Sequence, residues 1–319
     1  MRALVTGGTG FVGRQLVHHL YKQGYEVTVL HRPRSNWKSL PKGIQRIVGD
    51  VTDPVTLKGC CEGIDWVFHV AGEVSWGRRL RKRMFAINVE GTKHMVAEAM
   101  RAKVKRFIYT SSAAAVGLPD SEEPVDETYA FDGDILNVGY AIAKRRGEEY
   151  VLAKVKEGLP AVVVNPTVIT GVGTSDTSFV SAVVRGKLRI APEGGINLCD
   201  VEDVVEGHLL AAKKGRLGHR YILGGTNLLL TEAFQRIGRV SGIPRKIRVL
   251  KRPVVSMASL LLEGISWLNG RDPAFAWDLS RLVGRKVYYS SQKAERELGY
   301  RVTPFERTIE KIVAEKMHR

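Results

Sequence analysis

The sequence predicts an α/β fold with a doubly wound parallel sheet. Strand-like and helix-like stretches alternate through the first half of the chain, a pattern typical of a parallel sheet with helices on both faces. The strand-like stretches are almost continuously apolar, as in a sheet buried on both sides. A glycine-rich turn joins the first strand to the first helix. The length of 319 residues suggests about two structural units.

Residue periodicity defines the elements of the first half. In the first helix, Phe11, Leu16 and Leu20 recur at helical spacing, and Gly24 ends it. The predicted strands are 3–5, 26–30, 44–48, 66–70, 106–110 and 159–165, and the predicted helices are 11–23, 88–102 and 140–157.

After Pro166 the pattern loosens, and 171–197 is rich in Gly, Ser and Thr. Glu263 is the single charge in the apolar stretch 254–268. We interpret this stretch as a buried or dimer-packing helix. Contact with an anionic membrane surface is the alternative, because the stretch is flanked by Lys251, Arg252 and Arg271. The predicted elements of this half are a strand at 219–223 and helices at 203–214, 231–242, 254–268, 292–298 and 306–316.

The charge balance is strongly basic, with a formal net charge of +16. This charge permits a nucleic-acid, membrane or anionic-ligand partner. The basic clusters are scattered and have little aromatic interleaving, so we do not favour nucleic acid. We interpret most of the charge as solvated surface, although the cluster at 78–83 could draw an anionic substrate to a cleft. A hydrophobic fraction of 44% is that of a folded protein rather than a disordered one.

The cysteines and the N-terminus suggest a compartment. Cys60 and Cys61 are adjacent and Cys199 is distant, so neither a disulfide scaffold nor a four-ligand zinc site fits. The chain starts without the long apolar segment of a signal peptide, and no run of about 18 apolar residues suggests a membrane span. We therefore expect a cytoplasmic protein with no metal site.

The glycine-rich turn is the first candidate for ligand binding. Gly7, Gly10 and Gly13 form G-x-x-G-x-x-G between the first strand and the first helix. Glycine lets the backbone approach a pyrophosphate, and the helix N-terminus offers free N–H groups to it. The motif predicts a dinucleotide site, and an ordinary strand-to-helix turn is the alternative.

The residue after the second strand favours NADP over NAD. An acidic side chain at this place would bind the ribose hydroxyl of NAD, but the sequence has Arg32, followed by Arg34 and Lys38. A guanidinium can pair with the 2′-phosphate of NADP. NAD remains the alternative cofactor, and loop surface charges are the alternative reading of these residues.

A serine, a tyrosine and a lysine form the candidate catalytic set. Tyr140 and Lys144 lie four residues apart on one predicted helix and so share a face. A nearby cation favours the phenolate form of tyrosine, so Lys144 is expected to lower the pKa of Tyr140. Ser112, at the end of a strand, could hydrogen-bond the reacting oxygen. Ser75 and Trp76, after the fourth strand, are candidate substrate contacts, with packing as the alternative for Trp76.

The motifs together resemble the extended short-chain dehydrogenase/reductases, within the NAD-dependent epimerase/dehydratase group. The sequence is most similar there to dihydroflavonol-4-reductase-like proteins and to the hopanoid-associated sugar epimerase branch. The motifs that carry the resemblance are TGGTGFVG (6–13), GDVTD (49–53), HVAG (69–72), NVEGT (88–92), YTSSAAAVG (109–117), YAIAK (140–144) and NPT (165–167).

The resemblance implies a Rossmann domain formed by 1–166 plus 198–225 and a smaller, interleaved substrate lobe formed by 167–197 plus 226–319. It implies that Tyr140 is the acid/base, that Lys144 also holds the nicotinamide ribose, and that Ser112 polarises the reacting oxygen. The implied cofactor contacts are Gly7, Thr9, Gly10, Phe11, Val12, Gly13, Arg32, Asp50, Val51, Val70, Ala71, Gly72, Thr110, Tyr140, Lys144, Pro166 and Val168.

Three functions remain open at the level of sequence. The first is NADP-dependent reduction of a carbonyl, or oxidation of an alcohol, by a Ser-Tyr-Lys site. The second is an NAD-dependent nucleotide-sugar epimerase or dehydratase, although Arg32 departs from the acidic residue usual in those enzymes. The third is a non-catalytic NADP-sensing or RNA-binding protein. The expected partners are a small carbonyl compound or a sugar nucleotide, and a second copy of the chain in a homodimer.

Overall fold

The computed structural model describes residues 1–175, 178–244, 246–269 and 276–317. The strands are β1 (Arg2–Thr6), β2 (Glu26–His31), β3 (Gln45–Val48), β4 (Trp66–His69), β5 (Arg106–Thr110), β6 (Ala161–Pro166), β7 (Val168–Thr170), β8 (Ile190–Pro192), β9 (Gly195–Asp200), β10 (Arg220–Leu223), β11 (Thr226–Leu229) and β12 (Arg248–Leu250). The helices are α1 (Phe11–Lys22), α2 (Arg81–Phe85), α3 (Gly91–Arg101), α4 (Gly139–Val155), α5 (Phe179–Val184), α6 (Val201–Lys214), α7 (Leu230–Val240), α8 (Arg252–Asn269), α9 (Trp277–Ser280), α10 (Gln292–Leu298) and α11 (Phe305–Met317).

A seven-stranded sheet organises the first part of the molecule. Its order is β10-β6-β5-β4-β1-β2-β3, and every neighbouring pair is parallel. This arrangement confirms the predicted doubly wound parallel sheet. The strand order reverses between β1 and β4, and ligands of such sheets bind outside the carboxyl ends of the strands at that reversal.

Helices cover both faces of this sheet. On one face, Leu16 and Leu20 of α1 pack with Leu209 of α6. On the other face, Met95 of α3 packs with Val151 of α4. These side chains are almost inaccessible to solvent, so the apolar strands predicted from the sequence are buried from both sides.

The smaller lobe is built mainly from the second half of the chain. β11, β9 and β7 form a three-stranded sheet, and β12 pairs with β8. Its core includes Val180 of α5, Phe234 of α7 and Ile309 of α11. Ala294 and Leu298 of α10 pack instead in the core beneath the large sheet, although the division implied by the resemblance assigned 226–319 entirely to the lobe.

Several elements differ from the prediction. β7, β8, β9, β11, β12 and α5 were not predicted, because none exceeds six residues and no clear periodicity marks them. The predicted helix 88–102 is part of a longer helical run, in which a π-helical turn at Ala86–Glu90 joins α2 to α3. None of the described helices is long and apolar enough to cross a bilayer.

α8 does not bury all of its apolar side chains within the chain, so the buried form of its prediction does not hold, whereas dimer packing and membrane contact stay predictions. Val255 is buried, but Met257, Leu261 and Ile265 are 65%, 67% and 51% exposed. The flanking Arg271 lies outside the described residues.

Candidate functional site

The glycine turn closes tightly at the carboxyl end of β1. Gly7 has a φ of +69°, and the Gly10 amide donates to its carbonyl at 2.9 Å. A Cβ added at Gly13 would lie 2.2 Å from the Gly7 oxygen, so only glycine fits there. Gly10 is the N-cap residue of α1 and provides no side-chain cap. The first N–H groups of α1 are therefore free of a side-chain cap and can bind a pyrophosphate.

A buried histidine, which the sequence analysis missed, supports this turn. His69 Nδ1 lies 2.8 Å from the Thr6 hydroxyl, which accepts from the Ala71 amide at 3.1 Å. Burial, and secondarily the charge of Lys144, lowers the pKa of His69 to about 3. His69 is therefore neutral, and it fixes the segment that faces Gly7. The sequence could have indicated this role, because His69 is a polar residue within the apolar run of β4.

Residues expected around the adenine end lie after β2 and β3. Arg32 is exposed, whereas Val51 is buried. Asp50 Oδ1 accepts from the amide and the hydroxyl of Thr52, at 2.9 and 2.8 Å. Among the described residues, Arg32 has no carboxylate partner, so its guanidinium is available to a phosphate.

The three candidate catalytic residues meet at the same edge of the sheet. The Lys144 ammonium donates to the Thr110 carbonyl at 2.8 Å, and burial lowers its pKa to about 8. Burial raises the pKa of Tyr140, whereas hydrogen bonding by Ser112 lowers it. Burial outweighs the hydrogen bond of Ser112, so the pKa of Tyr140 is raised. The expected lowering by Lys144 is not among the causes of this shift.

A buried ionic network lies one turn beyond Lys144, and the sequence analysis also missed it. Glu148 is completely buried and pairs with Arg220 of β10 at 2.9 Å. Asn165 donates to Glu148 at 2.6 Å and to the Ser112 carbonyl at 3.0 Å. The network thus ties α4 to the strand ends that carry Ser112. The sequence indicates this network only through Glu148, which lies four residues after Lys144 and so shares its helix face.

A single cavity of about 1470 Å³ brings these groups together. Every residue predicted to contact the cofactor lines it, together with Ser112 and Trp76. Ser75 is the exception: it is buried, lies outside the lining, and directs its hydroxyl to the Gly77 carbonyl at 3.5 Å. Ser111, which no prediction included, also lines the cavity, and its buried hydroxyl has no partner among the described residues. A polar ligand group could satisfy it.

The two ends of the cavity differ in chemistry. The sheet domain contributes the turn, the catalytic set and Arg32 to the cavity wall, and the smaller lobe contributes the other part, here called the lobe end. Among the described residues from 167 onward that line the cavity, Glu193 is the only charged one. The apolar side chains there are Val168, Ile169, Phe179, Ala182, Leu188, Ile190, Pro192, Ile196, Leu230, Phe234, Leu250, Val255, Ala258, Leu279, Leu282, Val283 and Val287.

Of the basic cluster at 78–83, only Arg83 lines this cavity. Arg83 lines the cavity but pairs with Glu73 at 3.0 Å. Arg78 lies over the ring of Trp277. Trp76 does face the site, with its ring centroid 5.2 Å from that of Tyr140. The cavity near Tyr140 is therefore bounded by an aromatic wall.

The sequence is similar to those of several known proteins. The sequence model of the NAD dependent epimerase/dehydratase family matches residues 3–224. "Putative dihydroflavonol 4-reductase" of Synechocystis sp. is 33% identical, over 92% of this chain and 88% of that protein. The 4-hydroxy-2-methyl-3-oxo-4-farnesyl-3,4-dihydroquinoline-1-oxide ketoreductase of Stigmatella aurantiaca is 32% identical, over 94% and 92%.

A solved structure shows the same fold at lower identity. The UDP-glucose 4-epimerase of Thermotoga maritima, crystallised with UDP-glucose, is 21% identical. The alignment has a TM-score of 0.80 and covers 100% of this chain and 99% of that chain. In the described part of this chain, no group of three or more His, Cys, Asp or Glu side chains is placed to hold a metal ion.

Proposed function

Because the chain belongs to the NAD-dependent epimerase/dehydratase family and is an NAD(P)-dependent enzyme of the extended short-chain dehydrogenase/reductase type, we propose that it uses NADPH to reduce a carbonyl group on a largely apolar substrate. The observation that carries this proposal is the chemistry of the lobe end of the cavity.

A sugar nucleotide would bring a diphosphate to the lobe end of the cavity. Proteins bind such groups with Arg or Lys side chains or with helix N-termini. The described lining from 167 onward has neither Arg nor Lys, and its one charge is the carboxylate of Glu193. An apolar ring system or chain suits such walls. The ketoreductase of Stigmatella aurantiaca, whose name specifies a farnesyl group and a ketone, supports the same substrate class.

The ionisation of Tyr140 favours the direction of reduction. When bound, the nicotinamide supplies the hydride. The raised pKa of Tyr140 keeps its phenol protonated near neutral pH, so the phenol can donate a proton to the carbonyl oxygen that is being reduced. Ser112 hydrogen-bonds the same oxygen. Lys144 holds its ammonium against the Thr110 carbonyl and, as the resemblance implies, binds the nicotinamide ribose.

The choice of NADP rests on Arg32. Its exposed side chain lines the cavity, and none of the described carboxylates pairs with it. A guanidinium in this place suits a 2′-phosphate, and a free ribose hydroxyl does not require it.

The test is a panel of carbonyl compounds read by NADPH absorbance. We expect turnover of polycyclic or long-chain ketones and none of UDP-glucose or dTDP-glucose. Tyr140→Phe should lower turnover by about 100-fold or more while NADPH still binds. Tightly retained NAD, together with conversion of a sugar nucleotide, would instead establish the epimerase or dehydratase alternative. Full turnover by Tyr140→Phe would refute the role of the phenol.

A further inference from the structure

The outer face of α8 is apolar from Val254 to Ile265. Val254, Met257, Leu260, Leu261 and Ile265 recur at helical spacing, and each is between 51% and 67% exposed. Scattered apolar residues are normal on a protein surface, but a continuous stripe marks an interaction site. No described part of the chain covers this stripe.

The inner face of the same helix buries three polar side chains beside Val255, whereas a water-facing helix exposes its polar side chains. Ser259, Glu263 and Ser266 are buried. Ser259 donates to the Val255 carbonyl at 2.8 Å, and Glu263 accepts from the Trp277 amide at 3.3 Å. The only carboxylate of α8 is thus turned inward. The exposed stripe consequently carries no negative charge.

A basic edge adjoins the N-terminal end of α8. The strand β12 leads directly into α8 and pairs with β8, where the Arg248 amide donates to the Arg189 carbonyl at 3.0 Å. Ile190 and Val249 are exposed on this pair of strands. The exposed cations of the edge are Lys187, Arg189, Lys246, Arg248, Lys251 and Arg252. Among the described residues, none of them forms an ion pair with a carboxylate.

The cavity lies directly beneath this surface. Val255 and Ala258 of α8 line the apolar end of the cavity, and so do Ile190 and Leu250 of the neighbouring strands. The thickness of one helix therefore separates the exposed stripe from the substrate end of the cavity.

We infer that the α8 face, defined as the apolar stripe of α8 together with the basic edge, docks on the surface of an anionic phospholipid bilayer. An apolar helix face inserts at the level of the headgroups, and clustered Lys and Arg side chains attract anionic lipids. A second copy of the chain fits less well. An isologous dimer through this face would offer no carboxylate to the basic edge, because the exposed stripe carries no negative charge.

The experiment is flotation of the purified full-length protein with lipid vesicles. Binding is expected to vesicles of phosphatidylcholine and phosphatidylglycerol in equal parts at low salt, and to be weak on phosphatidylcholine alone. The variant R248Q/K251Q/R252Q should lower partitioning on the order of 100-fold. The variant M257Q/L261Q/I265Q should lose binding as well, because three inserted side chains become polar. No substrate or cofactor is present, so failure of the proposed function would not alter this result.

The matched control is K22Q/K58Q/K156Q. It removes the same charge from exposed positions of the sheet domain and should retain vesicle binding. Thermal unfolding of each variant verifies folding. Wild-type protein that does not float with anionic vesicles overturns the inference. So does equal loss in the control, which would indicate attraction by net charge alone. A wild-type dimer that M257Q/L261Q/I265Q dissociates, with no vesicle binding, would assign the face to a second copy instead.

Discussion

Replacing Lys144 with methionine is expected to stabilise the folded protein while removing the proposed catalytic ammonium. Lys144 is 5% exposed, and burial lowers its pKa from 10.5 to about 8. A buried ammonium therefore costs folding free energy. Methionine has a similar length and no charge, so it removes this cost without leaving a large cavity.

The magnitude follows from the pKa of Lys144. A shift of this size corresponds to about 3 kcal/mol. Below pH 8 both the folded and the unfolded chain hold the proton, and the folded state carries the full cost. Between about pH 8 and 10.5 the unfolded chain holds more protons, so the stability of the wild type rises with pH. Loss of the hydrogen bond to the Thr110 carbonyl offsets about 1 kcal/mol of the gain.

Urea unfolding of both proteins at neutral and alkaline pH measures this effect. The variant should be more stable by about 2 kcal/mol at pH 7, and its advantage should disappear as the pH approaches 10.5. Lys156→Met, at an exposed position after α4, is the matched control and should change the free energy of unfolding by less than about 0.5 kcal/mol. A stability difference that is independent of pH would refute the reasoning.

Two further variants probe the ionic network and the cofactor end. Glu148→Gln removes the carboxylate partner of Arg220, whose side chain is 18% exposed, so calorimetry should show a destabilisation of about 1–3 kcal/mol. Glu149→Gln, which breaks an exposed pair, should cost less than about 1 kcal/mol. Similar effects of the two would contradict the buried network. Arg32→Ala should weaken NADPH binding by about 10- to 100-fold in titration calorimetry and leave NADH unchanged. Arg34→Ala, outside the cavity lining, should affect neither, and equal loss of both cofactors with Arg32→Ala would remove the assignment to the 2′-phosphate.

The large sheet could be predicted from sequence because its signals are local. Buried parallel strands appear as continuous apolar runs, and the predicted strand 106–110 coincides with β5. The glycine turn is similarly local, because only glycine fits the contacts at Gly13. The short strands of the lobe, such as β7 (Val168–Thr170), depend on distant partners, and three residues are too few to show a periodicity.

The orientation of α8 and the role of Glu148 could not be read from sequence for a different reason. Helical spacing shows which residues share a face, but it does not show which face meets the core. The apolar stripe of α8 was therefore compatible with burial in the core, in a dimer or on a membrane, and only the structure shows that Glu263 occupies the inner side. Glu148 lies on the same face as Tyr140 and Lys144, but its partner Arg220 is 72 residues away along the chain.

The order of strands in the sheet has a consequence for synthesis on the ribosome. β10 (Arg220–Leu223) completes one side of the sheet by pairing with β6 (Ala161–Pro166), and about two thirds of the chain precedes it. Until β10 emerges, β6 presents an unpaired edge of apolar residues, which is a template for aggregation. Arg220 arrives with that same strand and neutralises Glu148. The pairing of the β6 edge and the formation of the Glu148–Arg220 ion pair therefore occur in one late step of folding.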